Sequence, residues 1–149
     1  MTPAGHNWLF SPGAWEAKGT FWDGGVTERR GSGRSVVRHL EDRWEIAVEV
    51  EFETDPLHVI ENSYVVTPPP EPGAMVINWY SENTVIGRLE GVYAVTDETI
   101  ISQFASSDRR HRGSETMTRV AVDNYQVRGI YMCDDEVVFT WSQRLTRER

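Results

Sequence analysis

The chain has 149 residues, with 15 Lys and Arg against 23 Asp and Glu, a formal net charge of −8, and 39 % hydrophobic and 11 % aromatic residues. That length suits one domain, residues 1–149, large enough to bury a core without staples. The acidic balance repels a phosphate backbone and an anionic bilayer, so neither nucleic acid nor membrane is an expected partner; a single cysteine, Cys133, excludes an intramolecular disulfide and a Cys-based zinc cluster.

Met1–Asn7 lacks the basic region and apolar run of a signal peptide, and no apolar stretch approaches the ~20 residues of a spanning helix. With a lone thiol suited to a reducing compartment, the expectation is a soluble, cytoplasmic protein. Residues 3–12 are predicted to make one short helical turn before Pro12-Gly13, so that Trp8, Leu9 and Phe10 cover an open barrel end. Nearly all later segments show period two, the strand period. Strand 14–22 ends at Asp23-Gly24-Gly25. Residues 26–40 follow, with Gly31-Ser32-Gly33 read as a bulge or bend, a hairpin turn being the alternative. In 43–53, Trp44, Ile46, Val48, Val50 and Phe52 point one way and Glu45, Glu49, Glu51 and Glu53 the other. A helix would scatter those glutamates around its circumference. Asp55-Pro56 turns into strand 57–67, and the proline run Pro68–Pro72 ends it as a stiff loop that cannot pair in a sheet. Strands 74–80, 86–95 and 99–105 follow. A loop at 106–113 carries Arg109-Arg110-His111-Arg112, read as a solvated turn or a greeting site for an anion. Strands 115–122, 125–133 and 137–145 complete the chain.

About ten strands joined by short turns, with no long helix, make an all-β antiparallel up-and-down meander. Closure into a barrel removes the edges an open sheet of that size would expose; a two-sheet sandwich is the alternative. Gly87, Gly91 and Gly129 fall inside strands, where coiled barrel corners or a roomy lumen need them, and corner geometry is the reading taken.

Gly13-Ala14-Trp15 on the first strand, after a short N-terminal lid, resembles the Gly-x-Trp motif of the calycin superfamily, which holds the lipocalins and the intracellular fatty-acid-binding proteins. The resemblance covers nearly the whole chain in length, strand count and meander order, and implies a lipocalin-like barrel. It also implies an Arg late in the last strand lying across Trp15, for which Arg144 is the candidate. No helix precedes the final strand as in lipocalins. Arg128 and Tyr131, three apart, fall on opposite faces and do not reproduce the Arg-x-Tyr carboxylate clamp of the fatty-acid-binding proteins.

Large aromatics recur through the strands. Trp15, Phe21, Trp44, Tyr64, Trp79, Tyr93, Phe104, Tyr131 and Trp141 are the candidate ligand-binding residues, with Phe52 and Phe139 in the same set. Each ring alone reads as core; together, in a closed barrel, they suit a small hydrophobic or aromatic ligand, with Tyr64, Ser102 or Thr116 setting its orientation. No catalytic residue, metal site or cofactor is expected. The alternatives are a cofactor-free enzyme (isomerase, cyclase or hydrolase) built around Glu61, His58 and Tyr64, a haem-binding barrel using His58 or His111, and a homodimeric scaffold with a filled core. Glu90 beside Arg88 reads as a surface pair. No Gly-x-Ser-x-Gly elbow surrounds any serine, and Asp134 and Asp135 make Cys133 a poor nucleophile.

Overall fold

The computed structural model describes residues 5–54, 57–71, 73–83 and 86–149. Ten strands follow in chain order: β1 (Gly13–Asp23), β2 (Thr27–His39), β3 (Trp44–Phe52), β4 (His58–Val66), β5 (Val76–Asn83), β6 (Gly87–Val95), β7 (Thr99–Ser106), β8 (His111–Ala121), β9 (Asn124–Cys133) and β10 (Glu136–Arg147). Each pairs antiparallel with its sequence neighbour, and β1 pairs with β10 from Trp15↔Arg147 to Asp23↔Phe139, closing the barrel. The fold is an all-β, ten-stranded antiparallel barrel. The first residues of the expected N-terminal turn, the Asp55-Pro56 turn and Pro72 lie outside the described residues. The described remainder of that turn, closed by Ser11 N–H donating to Asn7 O at 3.2 Å, is a single turn rather than a helix.

Alternation along the strands explains the closure, because each strand sends one set of side chains inward and the other to solvent. On β3, Ile46 and Phe52 are buried while Ala47, Glu49 and Glu51 are exposed. The Gly31-Ser32-Gly33 stretch makes no bulge. β2 runs straight through it, in register with β1 on one side and β3 on the other. The glycines answer close packing instead: a Cβ at Gly33 would overlap the Glu49 carbonyl, and one at Gly31 would press on the Phe21 ring. Irregularities occur elsewhere, between Arg119 and Ala121 on β8 and between Val137 and Phe139 on β10.

β8 begins at His111, earlier than the pattern suggested, because Gly113 pairs with both Phe104 and Tyr131. Two basic residues of the Arg109–Arg112 run are held in ion pairs. Arg110 binds the Asp134 carboxylate at 2.7 Å and Arg112 that of Asp135 at 2.5 Å, both acids lying in the β9–β10 turn.

One end of the barrel is packed solid. Trp15, Val37, Val66, Ile77, Ile100, Met117 and Tyr125 are all at most 1 % exposed there, and Trp8 and Leu9 of the N-terminal segment cap them. Tyr125 meets Trp15 edge-on at 5.6 Å between centroids. Its hydroxyl lies 2.9 Å from His6 Nδ1 and accepts from the Asn7 backbone N–H. His6 Nε2 donates to the Thr96 carbonyl at 3.0 Å, which leaves Nδ1 as the acceptor of the Tyr125 hydroxyl. Burial holds the His6 pKa below the usual histidine value.

The arginine across Trp15 is Arg147, not Arg144. The Arg147 guanidinium sits 6.0 Å from the indole and donates to the Pro12 carbonyl, over Gly13, where a Cβ would crowd it. Arg144 points outward to Asn124 and Gln126. Parity is the reason: Arg147 shares its face with Leu145, Gln143 and Trp141, whereas Arg144 shares the outer one.

Candidate functional site: an aromatic lumen with one buried acid

Beyond the packed end, two rows of inward residues each run across six neighbouring strands. One row runs Trp79, Gly91, Phe104, Gly113, Tyr131, Phe139, each opposite the next on the neighbouring strand. The other runs Tyr93, Ser102, Glu115, Gly129, Trp141, Phe21. Glycines thus stand beside Trp79, Phe104, Tyr131 and Trp141, while Tyr131 meets Phe139 and Trp141 meets Phe21 directly. Directly opposed residues have Cβ atoms only ~4.5–5.5 Å apart, so a ring can fold across its neighbour's position only where that neighbour has no side chain. A Cβ added at Gly91 would overlap the Trp79 indole, one at Gly113 the Phe104 ring, and one at Gly129 the Trp141 indole. Corner geometry is thus not what Gly91 and Gly129 serve. They let large rings fold back against the wall, and the lumen stays open.

The resulting cavity has a volume of about 290 Å³. Trp8 borders it toward the packed end, and Phe21, Phe52, Tyr131 and Phe139 toward the other. Of the expected ligand-binding residues, Phe21, Tyr64, Trp79, Tyr93, Phe104, Tyr131 and Trp141 line it. Trp15 and Trp44 do not. Trp15 is fully buried beneath, against Tyr125. Trp44 lies at the barrel rim, stacked on His39 at 4.1 Å with Phe10 edge-on, so it clasps the N-terminal segment rather than facing a ligand.

The chemistry of the lumen centres on Glu115, the first residue of expected strand 115–122, which was not among the expected site residues. Alternation within that strand, Glu115-x-Met117, would have placed it inside with buried Met117. Trp141 Nε1–H donates to Glu115 Oε2 at 2.7 Å, reaching over Gly129 from β10 to β8. What surface Glu115 retains faces the cavity. Burial raises its pKa from the usual carboxylate value to about 7, against the opposing effect of the Trp141 hydrogen bond. Tyr64 and Tyr93 line the same space, and burial, reinforced by the negative charge of Glu115, pushes both phenols well above their ordinary range. Trp8 Nε1 and Trp79 Nε1 are buried donors with no hydrogen-bond partner among the described residues.

The residues expected to serve an enzyme or a haem site are scattered. Glu61 is exposed on the outer face, opposite Glu49. Glu90 is exposed and pairs with Arg88 at 3.2 Å. His58 is exposed at the end of β4, with Phe52 its ring neighbour. His111 Nδ1 lies 2.6 Å from the Tyr131 hydroxyl. Ser102 faces the cavity, whereas Thr116 is exposed. No group of three or more His, Cys, Asp or Glu among the described residues is placed to hold a metal ion.

No family model and no curated protein matches the sequence. Among solved structures, the S-type phycobiliprotein lyase CPES from Guillardia theta superposes with a TM-score of 0.70 at 12 % identity, over 93 % of this chain and 89 % of that one. The chain has a calycin-like fold. At that identity the likeness speaks for the barrel and its closure alone, and the calycin-like lumen has to be read from this chain's own residues.

Proposed function

We propose that the protein binds a small, flat, largely apolar molecule inside the barrel. The observation that carries this reading is the folding of Trp79, Phe104 and Trp141 over Gly91, Gly113 and Gly129, which keeps the lumen open where side chains could have filled it. Ligand pockets commonly measure ~300–1,000 Å³, and the cavity here, about 290 Å³, suits a compact ligand of a few fused rings. The similar barrel of a phycobiliprotein lyase makes a tetrapyrrole chromophore a second ligand to try, with part of so long a molecule remaining outside the mouth. Native mass spectrometry beside a denatured control, followed by thermal shift with flat aromatic probes, tests the reading. A ligand at about 100 times its Kd adds ~2.7 kcal/mol of stability, and the gain should vanish in Val48→Trp, which fills the lumen. No mass excess and no shift with any probe would overturn it.

A second reading, a cofactor-free acid–base enzyme, is favoured by a carboxyl that changes protonation near neutral pH in a dry site. It rests on Glu115, not Glu61. Turnover abolished in Glu115→Gln and kept in Glu61→Gln is the expected pattern; the reverse would remove it.

A further inference from the structure

The polar groups of the lumen are unevenly matched. Among the described residues Glu115 is the one acid lining the cavity from the inward face, and one of its oxygens, Oε2, is taken by Trp141. Oε1 has no hydrogen-bond partner among the described residues. Tyr64 and Tyr93 are the titratable neighbours facing Glu115, from β4 and β6, and both stay neutral phenols. Arg34 and Glu49 touch the cavity only from the outer side of the β2–β3 wall, where Arg34 binds Glu148 at 2.8 Å. His111 stands apart, engaged with Tyr131. One cation does share the inward face: Arg29, opposite Phe21 in the row of Glu115, lays its guanidinium over the Phe52 and Phe139 rings at the mouth, where Asp23 pairs with it at 2.7 Å and takes up its charge. An anionic ligand would therefore bring a second negative charge beside Glu115 in a space with little water, and like charges there repel strongly.

We infer that the lumen selects a flat molecule bearing a nitrogen donor, an amine, amidine or ring N–H, which it gives to Glu115 Oε1, and rejects one with a carboxylate head. The inference rests on the lumen being the binding site and names the ligand class for it. A simple fatty acid offers no such donor and carries the wrong charge.

The test uses an isosteric three-ring pair, 9-aminoacridine, cationic with N–H donors, and anthracene-9-carboxylate, anionic with acceptors only. Affinities for the full chain are read by tryptophan quenching, counting only the binding lost in Val48→Trp, which removes association with the acidic exterior. At about pH 8, where Glu115 is ionised, the amine should bind at least about tenfold tighter, the worth of one hydrogen bond to a charged group. Glu115→Gln, which keeps an acceptor for Trp141, should collapse most of that ratio. In Trp141→Phe the carboxylate loses its stabilising N–H, so the pH at which the amine preference appears should rise. A ratio unchanged by Glu115→Gln, or a carboxylate that binds as well as the amine, overturns the inference while leaving lumen binding intact. Neither probe binding in the lumen overturns both.

Discussion

At the end capped by the N-terminal segment, Trp15, Val66, Ile100 and Tyr125 fill the barrel completely. A few residues along the same strands, Trp79, Phe104 and Trp141 lie flat against glycines and leave about 290 Å³ unfilled. Both regions are aromatic, and both follow the same inward parity. They differ in what stands opposite each ring. Trp15 faces Ser35 and the Arg147 side chain across its two ladders and is covered by Tyr125, whereas Trp79 and Trp141 each have a glycine on one ladder, with Val66 and Phe21 on the other. Whether a ring becomes core or cavity wall is thus decided by the neighbouring strand.

The contrast can be broken most forcefully at the floor. Trp15→Ala should cost about 3–5 kcal/mol, as for large core truncations. Trp79→Ala, which opens onto an existing cavity, should cost less than half as much. Chemical denaturation of the two variants measures this, and equal losses would mean that the lumen wall is packed as tightly as the floor.

The buried acid sharpens the contrast from the other side. Glu115 has its folded pKa raised to about 7, so below the ordinary value of 4.5 its neutral form costs nothing in either state. As pH rises through that window the unfolded chain ionises first, stability falls, and above about 7 the full cost remains. Glu115→Gln should therefore be more stable than the native chain at alkaline pH, by up to about 3 kcal/mol at ~1.4 kcal/mol per pKa unit. Melting curves across this range should show the gap opening and then levelling; a constant gap would place Glu115 in ordinary solvent.

Gly129→Ala tests the wall itself. Its Cβ cannot coexist with the Trp141 indole in place, and overpacking of this kind costs about 1–3 kcal/mol. The displaced ring should also lose its hydrogen bond to Glu115 and shift its fluorescence. An unperturbed emission spectrum would show that the indole does not need the glycine. The smallest effect separates the two arginines. Arg147→Ala should lose about 1 kcal/mol with its cation–π contact and its bond to Pro12, while Arg144→Ala stays within about 0.5 kcal/mol as a surface change. Equal effects would contradict the assignment of Arg147 to Trp15.

Much of the architecture was legible in the chain, because strand alternation is local information. Trp44 to Phe52 against Glu45 to Glu51, and the turn residues Gly24, Asp123 and Asp134, mark the strands and their ends without any tertiary input. The Gly-x-Trp start was legible too, and with it the Trp–Arg pairing, though not which arginine. That choice depended on the parity of β10, and the irregularity between Val137 and Phe139 shows why counting along that strand from its turn misleads. The fate of Glu115, the use of Gly91 and Gly129, and the separation of Trp15 and Trp44 from the lumen were decided only by closure. Each depends on which residues face one another across strands far apart in sequence. Period two tells which way a side chain points; only the register of the closed sheet tells what it meets.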